Sequence, residues 1–228
     1  MIDTKKHFWN ESYERNENCI LFPKEEIVKF LSRFIRAKQP DGSYVERMAG
    51  SKHLTALDFG CGMGRQTALL NEFGLDAYGV DLSDIAISKA KQANDYMSEK
   101  FQSLQQSQAL PFSDSFFDCA IAESVLDSMS FDLAKIAIFE IDRVTRGFLF
   151  ISLISAECNH LNKNKAVDEV VESQHERGTV QSYYDMPRID NLLEGSRFKQ
   201  VWFSLHKEYM DSEDKLSFAR YYLVLDNC

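Results

Sequence analysis

The sequence predicts one α/β domain, a mostly parallel sheet with helices on both faces and an antiparallel last strand. Three stretches carry that prediction. Leu54–Gln66, LTALDFGCGMGRQ, is an apolar run ending in Asp58, then a loop with Gly60, Gly62 and Gly64, then a helical pattern. It reads as a buried strand, a tight turn and a helix start. DAYGVDLS follows as a second strand ending at Asp81, at the spacing of a strand–helix–strand unit. Near the C-terminus, GSRFKQVWFSL and FARYYLVLDN are two strands joined by a polar connector, the pattern of a closing hairpin.

With 228 residues, 44% hydrophobic and 27% charged, the chain suits one soluble α/β domain with additions. Its net charge of −9, from 35 acidic and 26 basic residues, argues against nonspecific grip on nucleic acid or an anionic membrane. No apolar run is long enough to span a bilayer. MIDTKKHFWNESYERNENC lacks the apolar stretch of a signal peptide. The five cysteines form no C-x-x-C pair and read as free thiols, so the expected setting is the reducing cytoplasm. Cys158 and His160 have no further ligands at metal spacing, and no metal is expected.

Taken in order, residues 3–17 read as a helix whose Trp9 and Tyr13, four apart, share one face. Pro23 opens a second helix, KEEIVKFLSRFIRAK, with Ile27, Phe30, Leu31, Phe34 and Ile35 on the apolar side. Lys29, Arg33 and Arg36 fall on the opposite side and read as a solvated face. Gln39–Ser51 reads as a loop. After the glycine loop, Thr67–Phe73 is a short helix stopping at Gly74, and Ser83 caps a helix over Asp84–Met97. Phe101–Leu104 is a weak third strand, Phe117–Ala122 a fourth, Phe131–Val144 an amphipathic helix and FLFISL a fifth strand. Residues 155–184 are polar and long for a connector, the kind of segment that carries function. Asp185 caps the helix Met186–Glu194, which ends at Gly195.

A glycine loop after a first strand also occurs in dinucleotide-binding enzymes. Their G-x-G-x-x-G would need glycine where Arg65 or Thr67 stands. Here the pattern is D-x-G-x-G-x-G, followed by GVDLS, then LPFSDSFFD, then E-x-x-R-V over Glu140–Val144. In that order these motifs resemble the class I S-adenosylmethionine-dependent methyltransferases, in their small-molecule branch. The resemblance covers 52–153 and, more loosely, 185–226. It departs from the family's pattern at Gln106, where an acid is usual, and after Arg146, where a proline and one glycine are missing.

The resemblance implies a seven-stranded Rossmann-like methyltransferase sheet, mostly parallel with an antiparallel last strand, and S-adenosyl-L-methionine as cofactor. It implies a lid in residues 1–40, a core over 41–228, and a substrate-side insertion at 155–184. Asp58, Gly60, Cys61, Gly62 and Gly64 would carry the loop and the methionine end, Asp81 and Leu82 the ribose side, Gln106 and Ser107 the adenine. Trp9 and Tyr13 would cover the site. Glu123, at the end of the fourth strand, would face the methionine moiety or the substrate, and Asp127 could share its face.

Because the sulfonium is already an activated donor, no residue type is obligatory for the transfer. The catalytic candidates are therefore Glu123, Asp127, His175 and Tyr183, with Glu176, Arg177 and Tyr184 as further substrate contacts. The expected reaction is methyl transfer to O, N or S of a small metabolite, with neither nucleic acid nor membrane as partner; a homodimer is compatible with it. Two rivals stand beside it: a non-catalytic relative acting as a partner subunit, which Gln106 favours, and an NAD-dependent oxidoreductase.

Overall fold

The computed structural model describes residues 3–48, 53–105, 109–158, 164–210 and 215–227. Helix α1, Asp3–Glu14, precedes α2, Glu25–Phe30, which widens into a π-helical turn over Leu31–Ile35. A small ribbon follows, β1 at Arg36–Lys38 paired antiparallel with β2 at Tyr44–Glu46. The alternating core then begins: β3 Thr55–Phe59, α3 Arg65–Glu72, β4 Asp76–Asp81, α4 Asp84–Ala93, β5 Phe101–Ser103, β6 Phe117–Ala122, α5 Phe131–Val144 and β7 Thr145–Ile154. A second ribbon, β8 Asp168–Val170 with β9 Val180–Ser182, leads to α6 Met186–Leu193 and the long hairpin β10 Lys199–Met210 and β11 Lys215–Asp226.

Seven strands form one sheet in the order β10-β11-β7-β6-β3-β4-β5. The pairs among β3 to β7 are parallel, and β11 runs antiparallel to both β7 and β10. β3 is therefore the switch point, with the chain winding outward through β4 and β5 on one side and β6 and β7 on the other. At such a point the carboxyl ends of the strands leave a crevice. Strand β6, FDCAIA, is buried at every position because helices cover both faces, which is why it reads as a continuous apolar run.

The core lies in two layers. On one face Leu57, Leu149, Ile151 and Leu223 pack against Ile138 and Ile141 of α5 and Ile189 and Leu192 of α6. On the other, Ala56, Ile121, Phe150 and Val224 pack against α2, α3 and α4 through Ile27, Phe30, Leu70 and Ile87. The expected lid segment thus divides: α2 belongs to a core layer, whereas α1 packs on α4. Among the described residues no helix is long and apolar enough to cross a membrane.

Several boundaries differ from the pattern read in the sequence; β2, for one, lies within the stretch read as a loop, and β10 runs on to Met210. The second helix stops at Ile35, and Arg36–Lys38 become β1 instead of its last turn. Arg36 is 3% exposed and not part of a solvated face. Its guanidinium pairs with Glu46 at 3.0 Å and donates to the Gly74 carbonyl at 2.9 Å, so the free end of α3 supplies an acceptor that a helical Arg36 would not reach. The helix from Ser83 ends at Ala93, where Asn94 turns its amide to the Met63 carbonyl, and a 3₁₀ turn over Asp95–Lys100 carries the chain to β5. The cap on Ser83 is present: its hydroxyl accepts from Ala86 N–H at 3.1 Å. α3 begins at Arg65, inside the stretch read as the helix start, because Gly64 at φ +78° turns the chain directly into the helix.

Candidate functional site

The loop between β3 and α3 is shaped by backbone that only glycine adopts without strain. Gly60 has φ +75°, and a Cβ there would lie 2.3 Å from Val125 Cγ2. Gly62 has φ +53°, and its Cβ would lie 2.6 Å from the Tyr13 hydroxyl. Neighbouring strand β4 holds the loop in place. The Gly60 and Cys61 N–H groups both donate to the Val80 carbonyl, at 2.8 and 3.0 Å. The Asp81 carboxylate accepts from Gly62 N–H at 2.9 Å and Ser83 N–H at 2.8 Å. Burial raises the Asp81 pKa, opposed by those two backbone donors.

Asp58, 2% exposed at the end of β3, accepts from the Thr67 hydroxyl at 2.7 Å. Burial pushes its carboxyl up to about 7, and the charges of Glu123 and Asp81 add to the effect.

A cleft opens beyond this loop in two lobes, of about 1090 and 1020 Å³ including space open to solvent. The first is mainly apolar: Phe59, Leu82, Leu104, Leu110, Val125, Met129, Leu133, Ile136 and Ala137, with Asp81 at its inner end. The second is polar: Lys24, Asp58, Cys61, Gly62, Arg65, Gln66, Glu123, Asp127, Glu176, Gln181 and Arg220. Trp9, Tyr13, Gly60, Ser124 and Ser128 line both, so the lobes are continuous. The apolar lobe owes its wall to the E-x-x-R-V stretch. Glu140 accepts from Leu110 N–H at 2.8 Å, and Arg143 donates to the Leu110 and Phe112 carbonyls, each at 2.9 Å.

Two elements cover the cleft. Helix α1 is tied to α4 by Lys6–Asp84 at 2.8 Å and by Ser83 Oγ donating to Asn10 at 2.7 Å. The segment between β8 and β9 leans on α1: Glu176 N–H donates to Glu17 at 3.2 Å, and Gly178 lies against the ring of Phe8, where a Cβ would come within 2.6 Å.

The polar lobe is lined by a connected set of charges. Glu123, 7% exposed, pairs with Lys24 at 2.8 Å and Arg65 at 3.0 Å. Burial alone would raise its pKa, but the charge of Lys24 and then that of Arg65 outweigh it and hold the carboxyl below its ordinary value. Asp127, 1% exposed, pairs with Arg220 at 2.7 Å and accepts from Ile154 N–H at 3.0 Å. Burial nonetheless raises its pKa, with Arg220 opposing. Arg220 also donates to Ser152 Oγ at 3.2 Å, and Ser152 accepts from Ser124 N–H at 2.9 Å, joining the two pairs. Within this lobe both amide atoms of Gln66, Asp127 Oδ1 and Arg220 Nε are buried with no hydrogen-bond partner among the described residues.

Of the residues singled out in the sequence, Trp9, Tyr13, Asp58, Gly60, Cys61, Gly62, Asp81, Leu82, Glu123 and Asp127 lie on the cleft. Gly64 does not; it caps α3 and backs onto Phe101. Gln106 and Ser107 lie outside the described residues, between Gln105, which lines the apolar lobe, and Ala109. His175 is exposed and absent from the lining, beside Glu176, which does line it. Tyr183 is half-buried and held through its N–H to the Val167 carbonyl, and Tyr184 is wholly buried with its hydroxyl donating to Leu126 O. From that segment the cleft receives Glu176, Val180 and Gln181 instead.

Lys24, Arg65, Gln66 and Arg220 are cleft residues that sequence reasoning passed over. Only Arg220 left a signal, as a lone charge in the apolar run FARYYLVL. No group of three or more potential metal ligands occurs among the described residues.

Residues 57–151 match the family model of a methyltransferase domain. No curated protein matches the chain at a significant level. Among solved structures, a SAM-dependent methyltransferase from Anabaena variabilis is similar with TM-score 0.64 and 14% identity, over 97% of this chain and 94% of that one. Another from Methanosarcina mazei has TM-score 0.63 and 18% identity, over 78% and 93%. Magnesium protoporphyrin IX methyltransferase from Synechocystis, crystallised with SAH, has TM-score 0.55 and 18% identity, over 77% and 74%. At these identities the likeness is one of fold.

Proposed function

We propose that this chain, a class I methyltransferase over residues 57–151, moves the methyl group of S-adenosylmethionine to an O, N or S atom of a small-molecule acceptor. The observation that carries this reading is the glycine loop opening on a two-lobed cleft, with an acid at the end of each flanking strand, Asp58 buried and Asp81 partly so.

The residues present fit the cofactor. A Cβ at Gly60 or Gly62 would close the loop's approach, and Gln66 keeps a donor and an acceptor unpartnered beside it. Asp81 would accept from the ribose hydroxyls, while Leu82, Leu104, Leu110 and Val125 would enclose the adenine. Asp58, once ionised, would hold the methionine ammonium, with Gln66 and Arg65 beside the carboxylate. When bound, S-adenosylmethionine supplies a methyl already activated on sulfur, so the protein's part is alignment and exclusion of water. Trp9 and Tyr13 of α1 and the segment at Glu176 serve the exclusion. Glu123 and Asp127, at the polar end, would position the acceptor or receive its proton.

Calorimetric titration with S-adenosylmethionine, S-adenosylhomocysteine and NAD tests the reading. Micromolar binding of the first two, lost in Asp81→Ala, is the expected result. Binding of NAD alone would sink it, and binding of none of the three would favour a non-catalytic relative.

A further inference from the structure

The polar lobe holds a pair of side chains for which the cofactor has no evident use. Asp127 lies in the turn after β6, and Arg220 near the start of β11, 93 residues away in sequence. Arg220 stands opposite Ile154, the last residue of β7, so its guanidinium reaches the rim where β6 and β7 end. Both residues line the cleft, at 1% and 6% exposure.

A buried ion pair is weak evidence of a stabilising role, because desolvation offsets the attraction and an apolar pair of similar volume often serves as well. Nor is this pair saturated. Arg220 uses Nη1 for Asp127 and Ser152 and leaves Nε without an acceptor. Asp127 uses Oδ2 for Arg220 and Ile154 N–H and leaves Oδ1 without a donor. Two orphans of opposite kind, one donor and one acceptor, thus sit on adjoining side chains. Lys24 and Arg65 are already engaged by Glu123. A planar guanidinium with a free N–H matches the two oxygens of a carboxylate. The unpaired Asp127 Oδ1 beside it calls for a donor such as a hydroxyl or amine on the same molecule.

We infer that Arg220 and Asp127 form the acceptor-recognition pair, and that the acceptor is a small hydroxy- or amino-carboxylate. Arg220 takes the carboxylate, and Asp127 Oδ1 accepts from the neighbouring hydroxyl or amine. This inference rests on the methyltransferase reading above.

The test uses the full-length protein and a panel of small hydroxy- and amino-carboxylates, 2-hydroxybenzoate and 2-aminobenzoate among them, each matched with its primary carboxamide. Binding is measured calorimetrically on protein loaded with S-adenosylhomocysteine, and turnover with labelled S-adenosylmethionine. The expected result is that acids bind or turn over at least about tenfold better than their amides. Arg220→Lys should raise KM for the acids about tenfold while leaving kcat within about threefold, since it keeps the charge and loses the fork. The double variant Asp127→Leu with Arg220→Met removes both charges together, so the fold should survive. It should lose the preference for acids yet stay folded, with a melting temperature lowered by a few degrees because Ile154 N–H loses its acceptor, and keep its Kd for S-adenosylhomocysteine. The inference is overturned if amides serve as well as acids, if no acid is bound or methylated, or if the variants keep the preference. Failure of the wild type to bind S-adenosylhomocysteine is a separate result, which sinks the reading beneath it.

Discussion

The two lobes of the cleft share a floor, yet they are built from different kinds of residue and reach it by different routes. The apolar lobe is assembled from Leu82, Leu104, Leu110, Val125 and the face of α5, on connections that leave the sheet and return within one unit. The polar lobe draws Lys24 from the start of α2, Arg65 and Gln66 from α3, Glu123 from the end of β6, and Arg220 from β11. In the first, shape and burial decide affinity, and no single contact dominates. In the second, paired charges such as Glu123 with Lys24 and Arg65, and Asp127 with Arg220, hold one another in place, so removal of one member is felt by its partners. A site built this way can keep one grip constant, on the adenosine, while the other end is specialised.

Asp81 lines the apolar lobe and anchors Gly62 of the polar one, and removing it should have the largest effect. Asp81→Ala deletes the acceptor proposed for the ribose and the anchor of Gly62 N–H together. At about 1.5–3 kcal/mol for each charged hydrogen bond, the Kd for S-adenosylhomocysteine should rise about 10³-fold by calorimetry. A rise below tenfold would show that the apolar lobe holds the ligand unaided.

Gly60→Ala attacks the shared floor by shape instead of charge. It forces φ +75° on alanine and drives a Cβ into Val125. Strain and overpacking together should cost about 3 kcal/mol, near 8 °C of melting temperature. An unchanged melting curve would mean that the loop is free to relax.

Gln66→Leu separates the lobes. It should weaken S-adenosylhomocysteine about tenfold and leave 5′-methylthioadenosine, which lacks the amino-acid end, unaffected. Equal weakening of both would place Gln66 on the adenosine side.

The Asp58 carboxyl gives the polar lobe a pH dependence of two signs. Its pKa in the folded protein, about 7, lies above the unfolded value of about 3.9. The fold therefore keeps a proton that the unfolded chain loses. The resulting stability is full below pH about 4 and declines as pH rises toward 7, by up to about 1.4 kcal/mol per unit. Urea midpoints of the ligand-free protein should fall between pH 5 and 7, and less so in Asp58→Asn. Binding should move the other way. An ionised Asp58 suits the methionine ammonium, so affinity should rise about tenfold from pH 6 to 8 in the wild type only.

The smallest effect concerns the helix that follows Asp81. Ser83→Ala removes the cap of α4 and should lower stability by about 1 kcal/mol, or 2–4 °C. Nucleotide affinity should change by less than about threefold if Asp81 keeps its own backbone donor from residue 83.

What could be read along the chain follows the same division. The glycine loop, Asp58, Asp81 and the Ser83 cap were legible because each belongs to one strand–loop–helix–strand unit, with partners no more than 19 residues apart. Leu82 is local in the same sense, since it follows directly on the end of β4. Arg36 was misplaced because its acceptors, Glu46 and the carbonyls at the end of α3, lie on other elements. His175 and Tyr183 were read as site residues on polarity alone. The turn through Glu176, at φ +57°, presents a neighbouring residue to the cleft instead.

The sequence by itself determined the alternation of strands and helices, the left-handed glycine turns and the antiparallel closing hairpin. Periodicity and backbone freedom act over single elements, and no long-range contact is needed to express them. Only the tertiary structure decided that Lys24 and Arg65 close on Glu123, and that Arg220 crosses from β11 to meet Asp127. Those pairings exist because the parallel strands and the reversed β11 bring distant ends to one edge of the sheet. Buried charges must find partners wherever the fold delivers them.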